Sequence, residues 1–326
     1  MAVDDTHPRG RKSEPPTTGQ GKAGGALPED ELETQDTEVA LASLSQWQLA
    51  ARRFRRHHMA LLGLGIFIFM LSVAVIIPLF QPFIFNYIPG AIRPGGDAPT
   101  LQHVFGTTSE GRDVFNLVVN GGRISLMVGL FSMIIAGSVG VVVGSLAGFA
   151  GGLVDNVLMR VVDVFFAIPF LFVILVAARF FGRGDVMSLI LIIGLLSWPL
   201  IARLVRASFL SLREADFVDA ARAVGVSDRR IAFRHILPNA MGPVIVAMTL
   251  LMANAIVLEA FVSFLGFGIR ETEVSWGNAL ANAQNALRFG NWWWAFFPGM
   301  AIALTVLAIN FMGDGLRDAL DPRSRE

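Results

Sequence analysis

The 326-residue chain contains no cysteine, which removes disulfide frameworks, thiolate zinc sites, iron–sulfur clusters and cysteine nucleophiles together, and leaves the redox compartment open. Lysine is nearly absent as well: Lys12 and Lys22 are the only two. A phosphate-binding loop of the form G-x-x-x-x-G-K-[ST] needs its lysine to reach the terminal phosphates. No such loop can be built after Lys22, so any uphill work must draw on a partner or an ion gradient. H-E-x-x-H and G-x-S-x-G strings are missing too. Charge is scarce, at 16% of residues against a usual share of about 25%. The 26 basic residues balance 26 acidic ones, which disfavours a nucleic-acid binder. With 54% hydrophobic residues and zero net charge, a soluble chain would risk association, and composition points to a membrane solvent.

No aromatic residue precedes Trp47, and the first 45 residues carry Pro8, Pro15, Pro16, Pro28 and an acidic run from Glu29 to Glu38. Such a segment cannot bury enough apolar surface to offset its ordering entropy, and residues 1–45 are expected to form a disordered cytoplasmic tail. The first apolar run begins only at Met59, too late for a secretory signal. Residues 46–58, with Trp47, Leu49 and Phe54 among Arg52, Arg53, Arg55 and Arg56, suit either a juxtamembrane amphipathic helix or a plain basic stop before a span.

A bilayer core roughly 30 Å thick needs about 20 apolar helical residues. Six stretches predict an all-α integral membrane protein, with spans at about 59–80, 124–150, 161–178, 186–202, 240–265 and 292–312 in a membrane domain over 59–323. The fourth is short and needs neighbouring residues to cross. If the chain starts inside, the internal pieces hold fifteen arginines after residue 50 and the external ones seven, which predicts that both termini are cytoplasmic. Ala136, Gly140, Gly144 and Gly148 line one helical face with small residues, fitting either helix packing or a pore lining. Pro169 and Pro199 are each expected to kink a helix.

The cytoplasmic segment 213–238 is alanine-rich with acids early. Gly225 stands where a left-handed cap would stop a first helix, Ser227 can cap a second, and Pro238 is expected to end it. Within it, Asp219-Ala220-Ala221, Gly225 and Leu237-Pro238 resemble the EAA loop of binding-protein-dependent ABC importers, E-A-A-x3-G-x9-I-x-L-P, with Asp219 in place of Glu and His235 in place of Ile. Phe105 to Phe115 leading to Gly122-Arg123-Ile124-Ser125-Leu126, then Leu265-Gly266-Phe267-Gly268, Ser275-Trp276-Gly277-Asn278 and Gly313 to Pro322, are similar to the C subunits of dipeptide and oligopeptide permeases. The likeness covers about residues 50–323. It departs at Glu271-Thr272-Glu273-Val274, where a proline-rich stretch is expected.

The resemblance implies a type I ABC importer permease fold with a cytoplasmic coupling helix, in the bacterial cell membrane. It implies a second, nonidentical permease subunit, two ATPase subunits that bind the ATP and magnesium, and an extracytoplasmic substrate-binding protein. This chain would itself be no enzyme and bind no cofactor or metal. The coupling positions become Asp219, Ala220, Ala221, Gly225, Leu237 and Pro238, with Glu214 and Arg222 as salt-sensitive neighbours. Cargo would be dipeptides or oligopeptides, with nickel complexes or oligosaccharides as alternatives. An ion-driven secondary transporter is the competing class, though no internal repeat supports it. Glu259 is the one acid of the fifth span, so it should face protein or water. It is either a pathway residue or paired with Arg123 or Arg270. Trp292, Trp293 and Trp294 suit interfacial anchoring, with stacking on cargo as the alternative, and His103 reads as an ordinary external polar residue.

Overall fold

The helix breaks in this chain fall where the backbone chemistry demands them, and they sort one long apolar sequence into separate rods. The computed structural model describes residues 46–84, 96–182, 184–270 and 273–321. The tail expected at 1–45, Arg93, Glu271 and Thr272 lie outside the described residues. In order, the helices are α1 (Gln46–Phe54), α2 (His58–Ile84), α3 (Val114–Ala150), α4 (Gly152–Ala167), α5 (Phe170–Phe181), α6 (Val186–Arg213), α7 (Asp216–Ala223), α8 (Asp228–Ile231), α9 (Leu237–Phe264), α10 (Trp276–Leu287) and α11 (Trp293–Leu320). A π-helical turn at Ala232–Ile236 joins α8 to α9.

Five stretches are long and apolar enough to cross a bilayer: His58–Phe80, α3, α6, the continuous run Asp228–Phe264, and α11. The span expected at 161–178, with a kink at Pro169, is a pair of separate helices, α4 and α5, meeting at 87°. Pro169 has no N–H to give, and its ring forces Ile168 out of the helical region, to φ −100° and ψ 137°. Pro199 leaves α6 unbroken, and that helix runs past Ala202 to Arg213, which supplies the length its apolar core lacked.

The small-residue stripe of α3 packs on α6. A Cβ on Gly140 would lie 2.6 Å from the Ile201 Cβ, one on Gly148 would lie 2.5 Å from the Phe209 Cβ, and one on Gly144 would strike the Ala202 carbonyl. The glycines therefore set the approach of two backbones. Buried Ile201, Val205 and Phe209 on α6 continue into a cluster with Val218, Ile231, Ile236 and Val244, so the segment 213–238 is anchored on the same core as the spans.

Two ion pairs tie α4 to α6. Arg206 grips Asp155 with both Nε and Nη2, the latter at 2.6 Å from Oδ2. Arg203 reaches Asp163 at 2.9 Å and lies over the Phe166 ring at 4.3 Å. Much of the apolar surface stays outside, including Leu62 and Phe69 on α2, Val157 and Val164 on α4, and Phe172 and Phe180 on α5. Such faces need lipid or protein against them.

Candidate functional site: a helix-turn-helix and a buried carboxyl

The helix-turn-helix begins where α6 ends. Glu214, exposed, caps α6 with its N–H on the Leu212 carbonyl, and Ala215 turns the chain into α7. Val218 is fully buried and pins α7 to the core, while Asp219 and Ala220 face outward. Asp219 accepts from Arg222 at 3.1 Å across exposed side chains, an i,i+3 pair of small energetic weight.

The turn is built by backbone bonds. Gly225 N–H donates to Arg222 O at 2.9 Å, and Val226 N–H reaches back to Ala221 O at 3.0 Å. This pair of bonds is the Schellman motif, which needs a left-handed residue between them. Gly225 supplies it at φ +78°, and a Cβ there would meet nothing within 4 Å. The demand for glycine is therefore one of backbone conformation alone. Ala221 and Val226, its two ends, both pack against the buried cluster, and Leu237 joins them there.

Two local expectations need correcting. Ser227 holds the N-cap position of α8 but makes no capping hydrogen bond with its side chain. Pro238 does not end the second helix. It lies within the continuous run Asp228–Phe264, directly after the π-turn, whose wider bonding ring carries the helix through the missing N–H without a stop. Of the sequence-assigned positions, Glu214, Asp219, Ala220, Arg222, Gly225 and Pro238 are exposed, whereas Ala221 and Leu237 are half-buried anchors.

Glu259 lies 22 residues along α9 from Leu237, roughly 33 Å away at the other end of the rod. It is fully buried. Its carboxyl receives hydroxyl hydrogens from Ser125 on α3 at 2.8 Å and from Ser263, one turn on, at 2.9 Å, and the Ser275 hydroxyl lies beside it. Arg123 and Arg270, the partners expected from the sequence, are both exposed, and hydroxyls take their place. The Ser-Trp-Gly-Asn stretch supplies this site. Ser275 caps α10, Trp276 N–H donates to Ser125 Oγ at 3.2 Å, and Trp276 Nε1 donates to Val118 O at 2.8 Å. A Cβ on Gly277 would come within 2.6 Å of the Ala260 Cα, and Asn278 Nδ2 ties down the Ile269 carbonyl at 2.9 Å.

The other sequence candidates are also placed. Trp292 is exposed, but Trp293 and Trp294 are buried with Val114, Ala283 and Ala286, so only the first of the three is an interfacial candidate. Trp293 Nε1 donates to Thr107 O at 3.2 Å, whereas Trp294 Nε1 is buried without a partner. His103 is no idle surface residue: its Nδ1 meets Asp113 at 2.9 Å, and Asp113 caps α3 by accepting from Phe115 N–H at 2.7 Å. Asp185 caps α6 through Ser188, with Oγ at 2.7 Å. Among the described residues no group of three or more His, Asp or Glu could hold a metal ion.

With the loop geometry in place, comparison with known proteins assigns the chain. Residues 140–326 match the family model for the binding-protein-dependent transport system inner membrane component. The chain belongs to this family of ABC importer permeases. Residues 45–91 match the model for the N-terminal TM domain of oligopeptide transport permease C, which places it among the C-type permeases. It is 38% identical to the dipeptide transport system permease protein DppC of Bacillus subtilis over 88% of this chain and 89% of that one. It is also 38% identical to the oligopeptide transport system permease protein OppC of Escherichia coli, over 90% and 97% respectively. A chain of the MetNI methionine ABC transporter, solved in inward-facing conformations, shares the fold with a TM-score of 0.51 at 21% identity, covering 63% of this chain and 96% of that one. The protein is thus a multi-pass inner-membrane permease of the type I importer fold, a transport subunit rather than an enzyme.

Proposed function

We propose that this permease forms half of a translocation pathway for dipeptides or oligopeptides, paired with a second, nonidentical permease. An extracytoplasmic binding protein delivers the cargo, and two ATPase subunits hold the ATP and magnesium. Both termini lie in the cytoplasm, on the side where arginine collects. The names of the relatives support peptide cargo. The observation that carries coupling is the helix-turn-helix itself. It presents Asp219 and Ala220 outward on a short helix whose inner side, Val218 and Ala221, is packed on the same core as α6 and α9. Small side chains let a partner's surface approach closely, and the anchored inner face passes a push on α7 to two spanning helices. Glu214 and Arg222 are the charged neighbours that would make docking salt-sensitive.

Reconstitution tests this reading. Proteoliposomes holding both permeases and both ATPases should accumulate a labelled tripeptide only when ATP and the binding protein are supplied. Uptake by this chain alone, driven by an ion gradient, would sink the importer reading in favour of a secondary transporter.

A further inference from the structure

α8, the π-turn and α9 form one helical run from Asp228 to Phe264, 37 residues or roughly 55 Å long. One end grows out of the Gly225 turn. The other stops at a second Schellman turn, with Gly266 at φ +83° and Phe267 N–H on Val262 O at 3.0 Å. Just before that stop, the Glu259 carboxyl takes the hydroxyls of Ser125 on α3 and Ser263 on α9 itself, with Ser275 at the cap of α10 beside them. Ser125 is used twice, since its oxygen also takes the Trp276 N–H. The surroundings are close-packed. Cβ atoms on Gly121 and Gly277 would press on Trp276 and Ala260 at 3.0 and 2.6 Å, so the three helices meet here backbone to backbone.

We infer that Glu259 is a positioning residue that locks the outer end of this rod to α3 and α10, so that the three move as one unit when the inner loop is displaced. A buried acid is a costly way to join three helices unless its bonds are needed in every state the transporter visits. The lock gives the rod something to push against. Displacement of α8 travels along a continuous helix, and the carboxyl passes it to α3, whose small-residue face lies on α6. The inference rests on the coupling role proposed for the 213–238 loop.

This chain has no cysteine of its own, so introduced cysteine pairs carry spin labels at chosen positions in a complex whose other subunits are made cysteine-free. One pair, Leu130 on α3 with Leu287 on α10, reports the outer lock, and another, Ser211 on α6 with Phe233 in the π-turn, reports the inner loop; all four positions are exposed. In the parent complex the inner distance should shift between nucleotide-free and ATP-vanadate states while the outer distance stays single and narrow. Glu259→Ala should keep the inner shift, broaden the outer distance and lower tripeptide uptake at least tenfold with ATP hydrolysis retained. Glu259→Gln, which can still bond to the hydroxyls, should restore both. A narrow outer distance in Glu259→Ala at parent protein level overturns the lock. Should that variant fail to reach the membrane, Ser125→Ala and Ser275→Ala decide: broadening in either supports the lock, and parent-like distances in both overturn it. An inner pair that stays still with ATP-vanadate in the parent would overturn the coupling reading instead, while the outer pair still judges the lock.

Discussion

Ser125 on α3 donates its hydroxyl to Glu259 on α9 at 2.8 Å, joining residues 134 apart in the sequence inside a membrane domain. The same oxygen receives the N–H of Trp276. Ser125→Ala would leave both a carboxyl lone pair and an amide unsatisfied in a site that is fully buried. The expected cost is about 1–3 kcal/mol, read as a lower unfolding midpoint in detergent. Ser145→Ala is the control. Its hydroxyl bonds only to the Val142 carbonyl within α3, on an exposed face, and its loss should stay within about 0.5 kcal/mol.

The tryptophans should separate by their indole nitrogens. Trp276→Phe loses the 2.8 Å bond to Val118 O, with an expected loss of about 1 kcal/mol beyond the change in packing. Trp294→Phe removes an N–H that has no partner and should relieve a desolvation penalty rather than add one. Thermal stability of the two variants side by side checks the contrast, and equal losses would refute it.

Glycine substitutions should divide by location. Gly144→Leu drives a side chain into the Ala202 carbonyl and Val205, so α3 and α6 must part and protein level in the membrane should collapse. Gly65→Ala meets nothing within 4 Å on the exposed face of α2 and should be neutral or stabilise by about 0.5–1 kcal/mol. Immunoblotting of membranes and a melting curve suffice to compare them.

The two ion pairs between α4 and α6 differ in burial, and their coupling energies should follow. The Asp155 side chain is 12% exposed and that of Arg206 30%, with a two-point grip; the Asp163 and Arg203 side chains are 51% and 49% exposed. Double-mutant cycles should give the second pair no more than about 1 kcal/mol and the first pair clearly more. Raising salt should weaken the second pair preferentially. A larger coupling at Asp163 would contradict the assignment.

Much of this was legible in the sequence because the signals are local. Apolar run lengths marked where the five long apolar helices lie, four-residue spacing of small side chains marked the α3 face that meets α6, and Gly225 announced a left-handed turn. What stayed hidden depends on residues distant in the chain. Nothing about Ser125 or Ser263 singles them out as donors to Glu259, since a hydroxyl carries no charge or periodicity to mark it. The arginine pairing expected for Glu259 failed for the same reason: electrostatics suggested a cation, while the fold brought three hydroxyls instead. Trp292 to Trp294 form one aromatic run in sequence, but helical rotation buries two and exposes one. Pro238 misled because proline ordinarily stops or kinks a helix interior, and a π-turn directly before it, which no local pattern announces, lets the helix run on.

The coupling claim is tested most directly at Gly225. A β-branched residue there must adopt a left-handed conformation that costs it about 1–2 kcal/mol, and relief comes by reorienting α7 against α8. Measuring ATP hydrolysis and tripeptide accumulation in the same proteoliposomes gives both sides of the coupling at once. For Gly225→Val at parent protein level the account predicts continued hydrolysis with uptake reduced at least tenfold. Parent-level uptake per ATP hydrolysed in that variant would contradict it.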